Sequence, residues 1–390
     1  MSLTRGLASP RTPLRRFLDR ELSAGVRRLR ASYLAQLPTT PLIWPGPGVG
    51  YEAGTVGTAI DQRLRFAFTQ VAGVDAATVM GVDHLRATAL ALGEHAAWEV
   101  METVGRQLLE RLRATISELQ LDDRGRPLAR TEEEEEHLAR LLLGAAWYAL
   151  NFRNPVAFPL TPLCKAAFAD TGAFTLTTLL ALPHHDLVRD TVAQVRTAGS
   201  GPLGQLRRAT VPEMCLPGPT FDGSAYVAAD ADLIVDGLLI DFKSTRRTER
   251  FPLPMILQLL GYTLMDFADR YCIDRVGVCL TRAGALITWP IEDYLALLGA
   301  RRRNLTELRA AFQQLLAYTG CRADDDPLPE ELPGVEQLLA DLAPLIGLGC
   351  CRVCAQPMAQ PMLGPGRARL YCSSFCRGRA PSLRYRGWLP

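Results

Sequence analysis

The sequence predicts an α/β protein with a large helical part and a small metal-binding tail, and three observations lead to this fold class. Short apolar runs with strand character lie together between residues 211 and 290, with amphipathic helical patterns before and after them. A long, mainly helical stretch occupies residues 55–210. Five of the ten cysteines lie within residues 350–376, in a tail rich in proline and glycine.

Length and composition indicate a globular protein. With 390 residues and 48% hydrophobic residues, the chain can bury a core and form about two or three domains. The net charge of +2 does not by itself indicate a nucleic-acid partner, but residues 351–390 contain seven arginines and no acidic residue. This tail could bind phosphates or could be an ordinary solvated surface. No apolar run approaches the roughly 20 residues of a membrane span, so we expect a cytoplasmic protein without membrane contact.

The first two segments of the chain are predicted to be helical. Residues 1–54 form an arginine-rich amphipathic helix and a Pro/Gly loop, and residues 55–210 form a helical region. In its first helix Gly57 and Asp61 share one face, and the glycine would allow close approach of another backbone. We place Asp61 beside the acidic residues of the later sheet. The alternative is an exposed helical ion pair with Arg65, four residues on.

A β-hairpin is the central feature of residues 211–318, the predicted α/β core. The apolar runs Ala231–Val235 and Leu238–Phe242 are joined by Asp236-Gly237, and Asp-Gly between apolar runs is a strong hairpin signal. The remaining elements of the core follow in order. They are a helix from about Met255 to Arg270, strands Arg275–Thr281 and Ala285–Pro290, and a helix Ile291–Tyr318.

The two-residue turn brings charged side chains together. It places Asp232 opposite Asp241, where like charges are unfavourable unless a positive charge lies between them. It also places Asp230 opposite Lys243, as a local salt-bridge partner. Asp241 and Lys243 share one face of their strand, and carboxylate oxygens suit Mg²⁺ or Mn²⁺. Lys243 and Lys165 are the only lysines of the chain, which indicates that a compact ammonium is needed here.

Three patterns resemble the PD-(D/E)xK nuclease superfamily, within it the RecB-like nucleases that include CRISPR-associated exonucleases. They are Asp232 followed after eight residues by Asp241-Phe242-Lys243, then Gln258-x3-Tyr262 on the next helix, and upstream Gly57-x3-Asp61. The third pattern usually reads Gly-x3-His in that family, so a close relationship with the RecB exonucleases does not follow. The resemblance covers Gly57 to Asp61 and about residues 220–289.

The resemblance implies a restriction-endonuclease-like core, with a mixed central sheet flanked by helices and a helical accessory lobe. It implies metal-dependent cleavage of phosphodiester bonds, of DNA or else of RNA, in repair or in defence against foreign DNA. The catalytic residues would be Asp232, Asp241 and Lys243. The Mg²⁺ or Mn²⁺ ligands would be Asp232, Asp241, the Phe242 carbonyl and Asp61, and the nucleic-acid contacts Gln258 and Tyr262.

Two other functions fit the same residues. The chain could be an inactive nucleic-acid-binding or scaffold protein on this fold, which the missing histidine favours. Alternatively the hairpin pattern is coincidental and the chain is a zinc-dependent regulator, in which case Asp232 and Asp241 would lie on separate, solvated surfaces. A protein partner is compatible with each of these functions.

The tail at residues 349–390 follows a predicted linker and short helix at residues 319–348. Two pairs of thiolates have the arrangement of a structural Cys₄ zinc site: Cys351-x2-Cys354 and Cys372-x3-Cys376. Cys350 could replace Cys351 in the first pair. The rival is an iron–sulfur cluster, but RecB-like nucleases that hold one use a cysteine upstream of the Gly-x3-His motif, and none precedes Cys164 here. The tail also resembles small treble-clef zinc fingers.

Overall fold

The computed structural model describes residues 2–22, 25–69, 73–93, 96–344, 346–347, 349–358, 369–386 and 388–389. In these residues the chain forms a five-stranded mixed sheet and seventeen α-helices, so the predicted α/β class is confirmed. No helix of the described ranges is long and apolar enough to cross a membrane.

Twelve helices precede the sheet. They are α1 (Leu3–Ala8), α2 (Pro13–Glu21), α3 (Arg27–Gln36), α4 (Ala53–Phe68), α5 (Ala76–Asp83), α6 (Leu85–Leu92), α7 (Ala96–Glu118), α8 (Glu132–Arg153), α9 (Pro162–Ala169), α10 (Leu176–Ala181), α11 (His185–Ser200) and α12 (Pro202–Ala209). Helix α8 begins with an acidic run at residues 132–136, where Thr131 and Glu134 form a reciprocal capping box.

The sheet and its flanking helices follow. They are β1 (Cys215–Pro217), β2 (Leu233–Val235), β3 (Leu238–Lys243), α13 (Leu253–Met265), β4 (Arg275–Leu280), β5 (Ala285–Pro290), α14 (Ile291–Leu298), α15 (Leu305–Thr319), α16 (Leu332–Asp341) and, in the tail, α17 (Ser374–Tyr385). The predicted single helix over 291–318 is wrong. It is divided into α14 and α15, because Gly299 takes a left-handed φ of 65° that ends α14.

The strands lie in the order β1-β2-β3-β4-β5. Neighbours are antiparallel except β3 and β4, which are parallel and are connected through α13. The predicted hairpin is confirmed, since Val235 pairs with Leu238 across the turn. Asp236 and Gly237 both have positive φ, 46° and 75°, as a type I′ turn requires.

The sheet separates two hydrophobic cores. On one face Ile240 and Phe242 pack with the buried side of α4 and the helical lobe. On the other face Ile234 and Leu239 pack with α13, α14, α15 and the N-terminal helices. Alternation along β3 places Asp241 and Lys243 on this second face.

One buried ion pair joins two helices of the lobe, and a second one joins the lobe to the sheet. Arg63 of α4 donates to Glu135 of α8, with Nε to Oε2 at 2.9 Å. Arg282, just after β4, makes two 2.7 Å hydrogen bonds to Asp190 of α11. These contacts hold α4, and with it Asp61, in a defined position relative to the sheet.

Candidate functional site

The two predicted catalytic carboxylates meet at the hairpin. Asp241 on β3 is only 1% exposed. Asp232 lies directly before β2, and its Oδ2 accepts a hydrogen bond from the backbone N–H of Phe242 at 2.6 Å. If the hairpin pattern were coincidental, Asp232 and Asp241 would lie on separate, solvated surfaces. This geometry does not fit that interpretation.

Asp241 and Lys243 form an ion pair, with Nζ and Oδ2 2.6 Å apart. Burial raises the pKa of Asp241 to about 6; Lys243 opposes this rise and Asp232 adds to it. Burial lowers the pKa of Lys243, but the attraction of Asp241 and Asp232 outweighs it, so its pKa lies above the ordinary value. Lys243 is therefore a protonated ammonium at neutral pH.

Asp230 is not the partner of Lys243, so that prediction is wrong. The side chain of Asp230 is 52% exposed, and its Oδ2 lies 3.9 Å from Nη2 of Arg65. The reason is the short length of β2, which begins at Leu233. The hairpin register therefore does not extend as far as Asp230, and Lys243 instead pairs within its own strand.

Arg65 of α4 lies at the centre of the acidic residues. Its Nε donates to Asp61 Oδ1 at 2.9 Å, and its Nη2 lies 2.8 Å from Asp61 Oδ2 and 3.2 Å from Asp232 Oδ1. Asp75 and Asp230 lie farther out, at 3.7 and 3.9 Å. The positive charge expected near the opposed carboxylates is supplied in this structure by Arg65 and Lys243. Sequence reasoning considered Arg65 only as a helical partner of Asp61.

Asp61 lies beside the hairpin, as predicted, and it also makes the helical pair with Arg65. Its side chain is only 15% exposed, so the pair is not the exposed one of the alternative interpretation. Burial raises the pKa of Asp61 well above its usual value, against the effect of Arg65. Within the described ranges, Asp61, Asp232 and Asp241 do not bring one oxygen each within 4.8 Å of one another. A metal-binding role of Asp61 stays a prediction.

The chemistry of the donor set fits a hard divalent cation. Oδ2 of Asp241 is buried and, although it faces the ammonium of Lys243, it has no hydrogen bond of good geometry. A buried carboxylate oxygen needs a cation close to it, and Lys243 supplies that cation in this structure. Asp232 and Asp241 supply the oxygen ligands that Mg²⁺ or Mn²⁺ prefer. Arg65 is the internal cation with which such a metal would compete.

Gln258 and Tyr262 lie on one face of α13. Nε2 of Gln258 donates to the Tyr262 hydroxyl at 2.8 Å, and the tyrosine ring stacks on Phe221 with ring centroids 5.7 Å apart. Burial raises the pKa of Tyr262 well above its usual value, and the nearby charges of Asp232 and Asp241 add to this. The pair therefore faces the acidic site, but Tyr262 is only 5% exposed, which makes Gln258 the more accessible of the two.

An open cleft of about 410 Å³ reaches Lys243 and is lined by Gly57 of α4 and by residues 242–245. A Cβ added at Gly57 would meet no atom within 4 Å. The expected close approach of another backbone at this glycine is therefore wrong, since the glycine forms part of the wall of the cleft. The absence of a side chain keeps the space in front of Lys243 open.

The four predicted cysteines of the tail come together and could hold a metal such as zinc. One sulfur from each lies within 4.8 Å of the others: Cys351, Cys354, Cys372 and Cys376. Two of the S···S distances are 3.5 and 3.6 Å. These are close to the ~3.8 Å edge of a tetrahedron with Zn–S bonds of about 2.3 Å, and far from the ~2.05 Å of a disulfide.

The register of the first cysteine pair is now clear. Cys350 lies outside the cluster, in a β-bridge with Pro357, whereas Cys351 belongs to it. Burial raises the pKa of the Cys351 thiol, but hydrogen bonds from backbone N–H groups, including that of Cys354, bring it down to about 7. Cys351 is thus the thiol prepared for ionisation and metal binding. Residues 359–368, between the two pairs, lie outside the described residues.

No family model, curated protein or solved structure matches this chain. Membership of the PD-(D/E)xK superfamily therefore stays a prediction that depends on the motif residues.

Proposed function

We propose that this chain is a metal-dependent nuclease of the PD-(D/E)xK type that hydrolyses phosphodiester bonds of DNA. One observation carries the proposal. The buried Asp241 is paired with Lys243 on the wall of an open cleft, and Asp232 lies directly across the hairpin. A buried ion pair of this kind costs stability and contributes little to a fold, so its position at a cleft favours a chemical role.

The residues at the hairpin have distinct roles in this proposal. Asp232 and Asp241, with the Phe242 carbonyl, hold Mg²⁺ or Mn²⁺, which when bound polarises a phosphate oxygen and activates water. Lys243 donates hydrogen bonds to the attacking water or to the scissile phosphate, and its charge stabilises the charge that develops there. Without metal the pKa of Lys243 is raised, and in this protonated form the side chain orients groups by donating hydrogen bonds. Gln258 positions the strand.

The tail has a structural role in this proposal. Four thiolates bind Zn²⁺ and close a segment that is too small to fold around a core of its own. Helix α17 begins beside Cys372, with the Ser373 side chain accepting from the N–H of Cys376. Metal binding and the start of this helix are thereby linked.

An inactive scaffold is the second candidate, and the position of Arg65 favours it. Its guanidinium pairs with Asp61 and Asp232 at 2.8 and 3.2 Å, so the acidic side chains are already neutralised without a metal. Such a protein would bind nucleic acid without cutting it.

Cleavage of linear and circular DNA, single- and double-stranded, with Mg²⁺ or Mn²⁺ tests the proposal, and RNA of the same sequence tests the choice of substrate. The native protein should cut DNA, and Lys243→Ala should cut about 10²- to 10³-fold more slowly, the usual loss for one such group. Lys165→Ala is the matched control, because it removes the only other lysine, which is exposed on α9.

The outcomes separate the two candidates. Equal cleavage by native protein and Lys243→Ala would overturn the site. No cleavage by folded, zinc-loaded native protein would overturn the nuclease and support the scaffold.

A further inference from the structure

Two neighbouring clefts form one groove that leads to Lys243. The cleft of about 410 Å³ and a second cleft of about 430 Å³ share Ala53, Ser244 and Thr245 as lining residues. The second cleft is also lined by Arg246 and Arg247. The groove therefore continues from the proposed active site along the chain that leaves β3.

The two arginines are available to a ligand. Arg246 and Arg247 are exposed, and no carboxylate of the described residues lies within ion-pair distance of either. Other arginines near the site already form ion pairs. Arg65 pairs with acidic residues, and Arg282 pairs with Asp190. Unpaired arginines along a groove are typical contacts for the phosphates of a nucleic-acid backbone.

Two exposed aromatic residues flank the segment that lines another part of the second cleft. The lining residues of this segment are Pro45, Gly46, Pro47, Val49 and Gly50. Trp44 and Tyr51 lie directly before and after it in the chain. Trp44 is 68% exposed, and Tyr51 is fully exposed. Exposed aromatic rings that adjoin a groove lined by unpaired arginines are a combination typical of grooves for single strands, where the bases stack on the rings.

The segment that presents these rings is anchored at two points. The N–H of Gly48 donates to Asp186 Oδ2 at 2.8 Å, and Glu52 Oε2 accepts from Trp147 Nε1 at 3.0 Å. Asp186 lies in a group with His184 and His185. One ring nitrogen of each histidine and one carboxylate oxygen of Asp186 lie within 4.8 Å of one another. The contact to Gly48 gives this group a structural role in holding the wall of the groove.

We propose that this groove binds single-stranded nucleic acid, with phosphates along Arg246 and Arg247 and with bases stacked on Trp44 and Tyr51. Stacking on side chains needs unpaired bases with a free face, which a duplex does not offer. The inference rests on the proposed function in one respect, since it takes the strand to continue into the cleft at Lys243. It deepens that function by naming the strandedness of the substrate.

Fluorescence anisotropy without added Mg²⁺ or Mn²⁺ tests binding separately from cleavage. The native protein should bind a labelled oligothymidylate more tightly than a blunt-ended duplex. Trp44→Ala and Tyr51→Ala should each weaken single-strand binding by about 5- to 140-fold, the loss for one stacked base. Arg246→Ala/Arg247→Ala should reduce the slope of log K against log salt by about 1.4, or ~0.7 for each phosphate contact.

Matched controls remove the same residue types elsewhere. Tyr318→Ala removes a 62% exposed tyrosine on α15, and Arg111→Ala/Arg113→Ala removes two exposed arginines on α7. Single-strand binding that these controls retain and the groove variants lose would support the inference. Binding unchanged by the groove substitutions, or a preference for duplex, would overturn it even if the protein cuts DNA. Single-strand binding through the groove without any cleavage would leave the inference in place and overturn the nuclease.

Discussion

Replacement of Asp241 by asparagine should stabilise the folded protein and abolish cleavage. The carboxyl group is 1% exposed, and burial raises its pKa from 3.8 to about 6, a value that already includes the attraction of Lys243. An acid whose pKa is raised on folding costs stability wherever it is ionised. Asparagine keeps the shape of the side chain without the charge.

The structure sets the size and the sign of this effect. At pH 7 the group is ionised in both states, and at about 1.4 kcal/mol for each pKa unit the cost is ~3 kcal/mol. As the pH falls, Asp241 takes up its proton near 6 in the folded protein and near 4 in the unfolded chain. The stability gain of Asp241→Asn over the native protein should therefore fall below about 1 kcal/mol at pH 4.

Urea unfolding between pH 4 and pH 7, without added magnesium, measures this difference. Glu330→Gln is the control, since Glu330 is exposed and has no ion pair among the described residues; it should change stability by less than ~0.5 kcal/mol. If Asp241→Asn is less stable than the native protein at pH 7, or its gain does not shrink on acidification, the attraction of Lys243 exceeds the cost of burial and the reasoning is refuted.

Three further predictions concern the cleft, the tail and the internal cation. Gly57→Ala should raise stability by ~0.5–1 kcal/mol, because alanine favours the helix, yet slow cleavage at least about tenfold by narrowing the cleft; unchanged cleavage would contradict a substrate path there. Cys351→Ser should lose the bound zinc and Cys350→Ser should keep it, as measured by elemental analysis of purified protein; zinc loss in both would return the register to ambiguity. Arg65→Met should cost about 3–5 kcal/mol in urea unfolding without divalent metal, since it leaves buried carboxylates unpaired, and added Mg²⁺ should recover part of this loss. No recovery would indicate that these carboxylates do not bind the metal.

Local patterns in the sequence were sufficient for the hairpin and for the thiolate cluster. Asp236-Gly237 favours the positive φ angles of its turn, and strand alternation then places Asp232 across from Asp241. In the same way, two closely spaced cysteine pairs predict a tetrahedral site. They could not distinguish Cys350 from Cys351, because the choice depends on how the backbone folds around the metal position.

The surroundings of the site could not be predicted in the same way. Arg65 contacts Asp232 across 167 positions of sequence, and no local pattern indicates which of the many arginines would reach the hairpin. The outward position of Asp230 follows from where β2 begins, and the open space at Gly57 depends on how α4 packs against the sheet.

The sequence by itself determined the α/β class, the hairpin turn and the two cysteine pairs, apart from the choice between Cys350 and Cys351, because short-range backbone preferences and residue spacing decide these features. Only the tertiary structure decided which cations neutralise the acidic residues, that Lys243 is protonated beside a buried Asp241, and that a groove lined by arginines leads to Lys243. Charge pairing, burial and open space arise from packing between segments that are distant in sequence. For this reason the proposed chemistry could be located from the sequence, but its electrostatics could not.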